Sequence, residues 1–351
     1  MARALLAAAG AATLAAFAAS AASHPRVVSA CSPHVEAVST SGISQVILNG
    51  VATVPDGSVW AVGETSSLAY PSRPVILRVR RGRVSRLLVP TLPASRAGYE
   101  LRAVVARGAA DAWAVGLNVV LHWDGRRWQH ARAPAGSYWA VAASGPKNVW
   151  AVGTDSTGYL VAHWDGLAWR RVPPPQTPPA PAQGAFTIKR LEGVLALGTR
   201  DVWVVGGGPP FAAHWDGAAW ESFAMPAGQS YNADAHLDTV LESSPQNLWV
   251  AGDGALGQWA NGSWLLADYS GYQGYIVQPM VDRRGDLWGV SGSGGGQMVG
   301  WNGSAWQQVG TALQGISLND LTADRRGDVW AVGIFPGDPA RVRPAIVHYR
   351  C

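Results

Sequence analysis

His122, His163, His214 and His348 stand at one recurring position, three of them in the string His-Trp-Asp-Gly and the fourth in His-Tyr. Recurrent imidazoles could hold a metal ion, and the carboxylates that follow, Asp124, Asp165 and Asp216, could act as acids or bases. A second set is aromatic and polar: Tyr70, Phe186, Tyr231, Tyr272, Tyr275 and Phe335, with Arg73, Asp155 and Asp253. Aromatic faces stack on the apolar C–H faces of sugars while polar groups bond the hydroxyls, so this set reads as a ligand-binding surface. Gly206-Gly207-Gly208 and residues 291–296 are glycine-rich, but neither leads into the Lys-Ser/Thr of a phosphate-cradling loop. What any of these groups does depends on the elements that carry it.

The stretch 148–172, NVWAVGTDSTGYLVAHWDGLAWRRV, shows those elements. Its three apolar runs, 149–153, 159–164 and 169–172, are rich in Val, Trp and Tyr and too short for helices, so they read as strands. Asp165-Gly166 between the last two is a hairpin signal. A two-residue type I′ turn there sets Trp164 opposite Leu167 and Trp169 diagonal to Trp164, with His163 on the other face.

Copies of this stretch fill the chain. Trp60, Trp113, Trp150, Trp203, Trp249, Trp288 and Trp330 each sit in a version of D/N-V-W-A-V-G, which defines seven units. Five units add a second pair: Trp123 and Trp128, Trp164 and Trp169, Trp215 and Trp220, Trp259 and Trp264, Trp301 and Trp306. The pattern takes in 17 of the 18 tryptophans and leaves out Trp139, so the indoles are first of all a packing device. Segments 138–143, 190–197, 239–242, 276–282 and 316–323, upstream of the Trp runs, supply a further strand. Four short strands in each period of roughly 40–45 residues predict an all-β, seven-bladed β-propeller with four antiparallel strands per blade. A lone blade would leave its aromatics wet, so closure into a ring is required. Each histidine then lies on the third strand of a different blade, and the imidazoles diverge. The expectation for them is packing and hydrogen bonding, with no metal and no cofactor, while the hairpin explains each Asp.

The string VWAVG, then HWDG, then Trp with Pro soon after, resembles the tectonin repeat, and residues 201–226 are similar to a kelch repeat. The resemblance covers all seven units at the level of motifs and implies a binding module for glycan or protein ligands. Asp-box propellers separate their Asp and Gly by one residue, whereas here the two are adjacent, which argues against a sialidase-like reading.

Residues 1–23 read as a secretory signal, with Arg3, an Ala/Leu-rich core and Ala19-Ser20-Ala21 as a small-x-small cleavage site. Residues 24–351 read as one propeller domain, secreted and extracellular, with no membrane span after cleavage and as a monomer. The net charge of +4 and pI near 9.3 arise from scattered arginines among only 14% charged residues, so nucleic acid is not an expected partner. The seventh unit ends at its third strand, and residues 27–38 can supply the missing fourth. A Cys31–Cys351 disulfide would staple that join in an oxidising compartment.

Loop length sorts the two faces. One side carries short turns. The other carries the variable stretches, including 64–73, 173–187, 225–235, 268–275 and 335–341, and there the aromatic and polar set lies. The expected function is binding of a glycan or extracellular protein on this long-loop face. The alternative is a propeller enzyme, a glycosidase or polysaccharide lyase, with its site at the channel mouth.

Overall fold

A computed structural model describes residues 31–38, 45–65, 71–178, 189–225, 236–244, 247–252, 255–260, 263–266, 276–281, 286–291, 297–302, 306–310, 313, 315–335 and 342–350. Among these residues are 28 strands, and no helix is long and apolar enough to cross a membrane. The strands form five four-stranded sheets and one eight-stranded sheet. The larger sheet joins two four-stranded halves through a single residue pair, Ser137 with Leu117. Each sequence unit therefore supplies antiparallel strands in chain order, as in Val46–Thr53, Val59–Thr65, Arg73–Arg80 and Arg83–Arg86.

The first strands of the units are Val46–Thr53, Glu100–Gly108, Ser137–Gly145, Leu191–Gly198, Leu237–Ser244, Ile276–Val281 and Ser317–Ala323. Each touches the next, and the last returns to the first. That seam is bonded: Asn319 Nδ2 donates to the Leu48 carbonyl at 2.8 Å and Thr53 Oγ1 to the Ala323 carbonyl at 2.9 Å. Strand Ser32–Val35 completes the sheet of Ser317–Ala323, Val329–Phe335 and Arg343–Arg350, as the missing fourth strand requires. Ser32 lies opposite Arg350, which brings the residues beside both cysteines together. Cys31 is buried, and Cys351 lies outside the described residues, as does the signal-like segment 1–23.

The tryptophans explain why the sheets stand side by side. Within a unit the paired indoles face each other directly, Trp123 with Trp128 and Trp164 with Trp169. The Trp of the preceding unit's run wedges into that pair. Trp60 lies 4.9 and 4.8 Å from Trp123 and Trp128, and Trp113 lies 5.0 and 5.2 Å from Trp164 and Trp169, mostly edge to face. Trp150 repeats the arrangement against Trp215 and Trp220. An indole buries ~150–250 Å², so at about 25 cal/mol per Å² each wedge contributes roughly 4–6 kcal/mol before its ordering entropy.

The hairpin differs from the expected type I′ form. Trp164 faces Trp169 rather than Leu167, so four residues make the turn. The Asp165 carboxylate accepts the N–H groups of Leu167 and Ala168, both at 2.8 Å, and only Gly166 has positive φ, 95°. An Asp that caps two amides needs no left-handed backbone of its own, and that cap selects the longer turn.

Candidate functional site

The Gly that ends each VWAVG run opens the way to the site. A Cβ on Gly63 would lie 1.9 Å from the Ile47 carbonyl oxygen, on Gly116 1.8 Å from that of Glu100, and on Gly153 1.9 Å from that of Ser137. These carbonyls approach so closely because the first strand bulges there. Pairing jumps from Leu48–Gly63 to Gly50–Val62 and skips Asn49. The same jump skips Arg102, Trp139, Glu192, Asp238 and Asn319 in other units. In the sixth unit the shift falls between Val277 and Met280. A bulge releases its extra residue from the ladder and re-aims the side chain. Asn49, Arg102, Trp139, Glu192 and Asp238 line one cavity of about 240 Å³, together with Asp320 beside the skipped Asn319. The bulges come two to four residues into strands entered from the blade-to-blade connections, so the cavity is the channel just inside the long-loop rim.

Each side chain in this ring reaches toward a neighbouring unit. Asn49 Nδ2 donates to the Glu64 carboxylate at 2.6 Å and to the Leu101 carbonyl at 3.0 Å. Guanidinium groups of Arg102 and Arg190, from the units before and after, lie 3.8 and 4.2 Å from the ring centroid of Trp139. Both positions are favourable for a cation over an indole. Arg102 also pairs with Glu100 at 3.1 Å. Arg190 Nε lies 2.8 Å from Glu192 Oε1, close enough for an ion pair though neither atom has hydrogen-bond alignment. Glu192 reaches on to His236 at 3.7 Å. Asp320 accepts the N–H of Val51 across the seam and of Leu321 beside it, each at 2.8 Å.

The electrostatics divide the channel. On one side stand the two guanidiniums flanking Trp139, where the Arg102 Nη1 and Trp139 Nε1 donors have no protein acceptor. On the other stand carboxyls that resist ionisation. Burial pushes Asp320 up to about 7, and the Asp238 charge adds to the effect. Asp238 is likewise raised, first by burial and then by Glu192, against the pull of Thr239 and His236. Behind the lining, beside Asn49 and Arg102, Glu64 is raised to about 7 by burial and by Glu100, although Asn49 and Arg102 favour its charged form. Water reaches Asp238 and Asp320 through the channel, yet protein walls surround them, so their charges are poorly solvated.

The aromatic and polar rim set is not brought together among the described residues. Asp155 sits in its own tight turn, accepting from Thr157 N and Oγ1 at 2.7 Å each and pairing with Arg171. Phe335 packs on its unit's core beneath the Arg343 guanidinium, 5.2 Å from its ring centroid. Arg73 is exposed, with its N–H on Thr65 Oγ1 at 3.2 Å, beside a groove of about 860 Å³ that also takes in Leu88 and Tyr99. Tyr70, Phe186, Tyr231, Asp253, Tyr272 and Tyr275 lie outside the described residues.

The recurrent histidines stack on the Trp of their own run, at 4.2 Å for His122 on Trp113 and 4.0 Å for His348 on Trp330. Their Nε2 atoms meet Asp111, Asn148, Asp201 and Asp328 at 2.8–3.1 Å. Asp324 adds a third group beside Asp328 and His348, with ligand atoms within 4.8 Å. Its Oδ1 already accepts from Arg326 and Asp328 N–H, as in a capped turn.

The channel residues escape sequence reasoning, which seeks function on loops. A signal exists. Asn49, Arg102, Trp139, Glu192, Asp238 and Asn319 each stand eleven residues before their run Trp, a position where mostly polar groups interrupt apolar strands and the residue changes from unit to unit along the chain.

No protein-family model matches the chain, and no curated protein matches it. Solved structures do. The chain is similar to YCF48 bound to D1 peptide, with 14% identity, a TM-score of 0.63, and 93% of this chain and 97% of that one covered. It is similar to a streptogramin B lyase structure, with 13% identity, a TM-score of 0.66 and 92% and 98% covered. Similarity to the WD40 β-propeller domain of Doa1 is at 11% identity and a TM-score of 0.62, with 90% and 96% covered. At such low identities the likeness establishes the fold, a β-propeller, and leaves the kelch- and tectonin-like features as motif resemblances.

Proposed function

We propose that the protein is a secreted, monomeric, seven-bladed propeller that binds an extracellular ligand at the long-loop mouth of its channel without transforming it. The count of seven treats the eight-stranded sheet as two blades and is supported by the closed cycle of first strands. Secretion is supported by the signal-like residues 1–23. A Cys31–Cys351 disulfide fits the pairing of Ser32 with Arg350, because antiparallel partners stand about 4.5–5.5 Å apart, within disulfide reach. No described cysteine is free. Thiol titration of the unfolded, unreduced protein should find none.

One observation carries the binding reading: the bulges turn unlike side chains into a single cavity, with Arg102 and Trp139 on one side and under-solvated carboxyls on the other. Of the two ligand classes expected, a polypeptide is favoured over a glycan, since the charged channel is the better-formed site and one similar propeller, YCF48, is bound to a peptide. Peptide pools and a glycan array, each probed with the parent and with Arg102→Gln, test this. Selective peptide binding lost in Arg102→Gln is the expected result. Selective glycan binding abolished by Tyr272→Ala and untouched by Arg102→Gln would return the site to the rim.

A second reading, catalysis, is favoured by Asp238 and Asp320, two carboxyls of one cavity raised to about 7, the range in which a general acid or base works best. Turnover of an oligosaccharide or polysaccharide that disappears in Asp238→Asn would establish it over simple binding.

A further inference from the structure

We propose that the channel mouth receives an α-ammonium group with a carbonyl or carboxylate oxygen one carbon away, as found in a free amino acid and at the N-terminus of a peptide. The inference rests on the channel-mouth reading and names the chemistry of its ligand.

The two halves of the cavity set the two halves of the ligand. Asp238 and Asp320 face it from the fifth and seventh units, with Glu192 beside them. Arg190 lies 2.8 Å and His236 3.7 Å from Glu192, so Glu192 is paired, whereas Asp320 accepts only backbone N–H groups among the described residues. An ammonium supplies three N–H donors in a small volume and can bridge carboxylates that repel each other. Across the cavity stand Arg102 and Trp139, whose Nη1 and Nε1 hydrogens lie beneath its lining with no acceptor among the described residues. Several packing-layer indoles, Trp60 and Trp330 among them, also have an unbonded N–H, but none of these lines the cavity. Trp139 is flanked by guanidiniums, which accept nothing. An oxygen entering the cavity would meet that demand once the side chain turns toward it.

Size points the same way. Drug-sized sites run to about 300–1,000 Å³, and the channel mouth offers about 240 Å³. That admits one residue-sized group, either a free amino acid or the first residue of a chain whose remainder leaves through the rim. A cation alone would leave the donors unmet, and an anion alone would leave the carboxyls facing one another.

The test is isothermal titration of the full chain with L-alanine, trialanine and N-acetyl-trialanine, repeated on Asp238→Asn and Trp139→Phe. Circular dichroism and Tm establish that each variant is folded. Binding of alanine or trialanine, weakened at least tenfold by N-acetylation and by Asp238→Asn and several-fold by Trp139→Phe, supports the proposal. Trialanine at least tenfold tighter than alanine identifies a peptide terminus, and the reverse order identifies a free amino acid. Trp139→Phe keeps the ring between the arginines, so it remains informative even if Asp238→Asn fails to fold. Acetylated and free peptides binding within threefold of each other, or no binding by either free amine, overturns the proposal. If the amines fail while another ligand is bound and lost in Arg102→Gln, the channel-mouth reading stands without this chemistry. If no ligand's binding responds to Arg102→Gln, both fall.

Discussion

Two positions can be followed round the molecule from unit to unit, the Trp of the second strand and the bulge residue of the first. At the first position the side chain is always indole, and Trp60, Trp113 and Trp150 show it wedged against the paired indoles of the next unit. At the second it is Asn, Arg, Trp, Glu, Asp and Asn again, held by the same one-residue bulge in six of the seven units. Repetition marks what the ring needs in order to close. Divergence at a position whose geometry is repeated marks what the ring is free to use.

The largest expected difference between the two layers is in stability. Trp113 is 1% exposed and touches Trp164, Trp169 and His122. Trp113→Ala should cost about 3–5 kcal/mol, whereas Trp139→Ala, which empties space already open to the channel, should cost well under half of that. Urea unfolding of both variants measures the gap. Equal losses would mean that the channel indole is also a packing residue.

A smaller effect separates the layers by pH. Glu64, Asp238 and Asp320 have raised pKa values in the folded protein. Between about pH 4, where the unfolded chain loses these protons, and pH 7, the folded state binds more of them, so stability falls as pH rises and levels off above about 7. A tenfold difference in proton affinity is worth about 1.4 kcal/mol, and after a discount for water in the channel the total is on the order of 2–3 kcal/mol. Unfolding free energies from pH 5 to 8 should show the decline, and Glu64→Gln should flatten it. A rise over that window would contradict the picture of under-solvated channel charge. The inter-unit braces come next: Asn319→Ala removes the bond to the Leu48 carbonyl and should cost about 1 kcal/mol at the seam.

The wedge layer is legible in the sequence because tryptophan is rare and its spacing regular; 17 indoles mark the units, the strands and the need for a closing strand at Ser32–Val35. The turn at Asp165 is not legible, because an Asp-Gly pair fits two turns and the side-chain cap that decides between them is invisible to a backbone rule. The channel site stays hidden because a bulge shifts the two-residue alternation by one. Arg102 or Glu192, taken as a regular strand residue, falls on a sheet face between units instead of in the channel. The motif Gly is the available clue, since a glycine whose added Cβ would lie 1.9 Å from a carbonyl implies a crowded partner strand, but that crowding is known only once the pairing is known. Trp139 stands out as the indole outside the pattern, and its exclusion is itself the sign.

The smallest expected effect discriminates most finely. Trp123 Nε1 donates to the Ala109 carbonyl at 2.9 Å, whereas Trp139 Nε1 is buried with no acceptor. Phenylalanine keeps most of either ring and removes the N–H. Trp123→Phe therefore forfeits a hydrogen bond and leaves a carbonyl unmet, a cost of about 1 kcal/mol beyond the smaller ring. Trp139→Phe removes a donor that had no partner, and its flanking guanidiniums keep an aromatic face to rest on, so its stability should stay within about 0.5 kcal/mol of the parent. Chemical denaturation of the two variants side by side is the measurement. If Trp139→Phe proves the more destabilised, its N–H has an acceptor in the unliganded protein, and the demand assigned to that donor in the channel falls away.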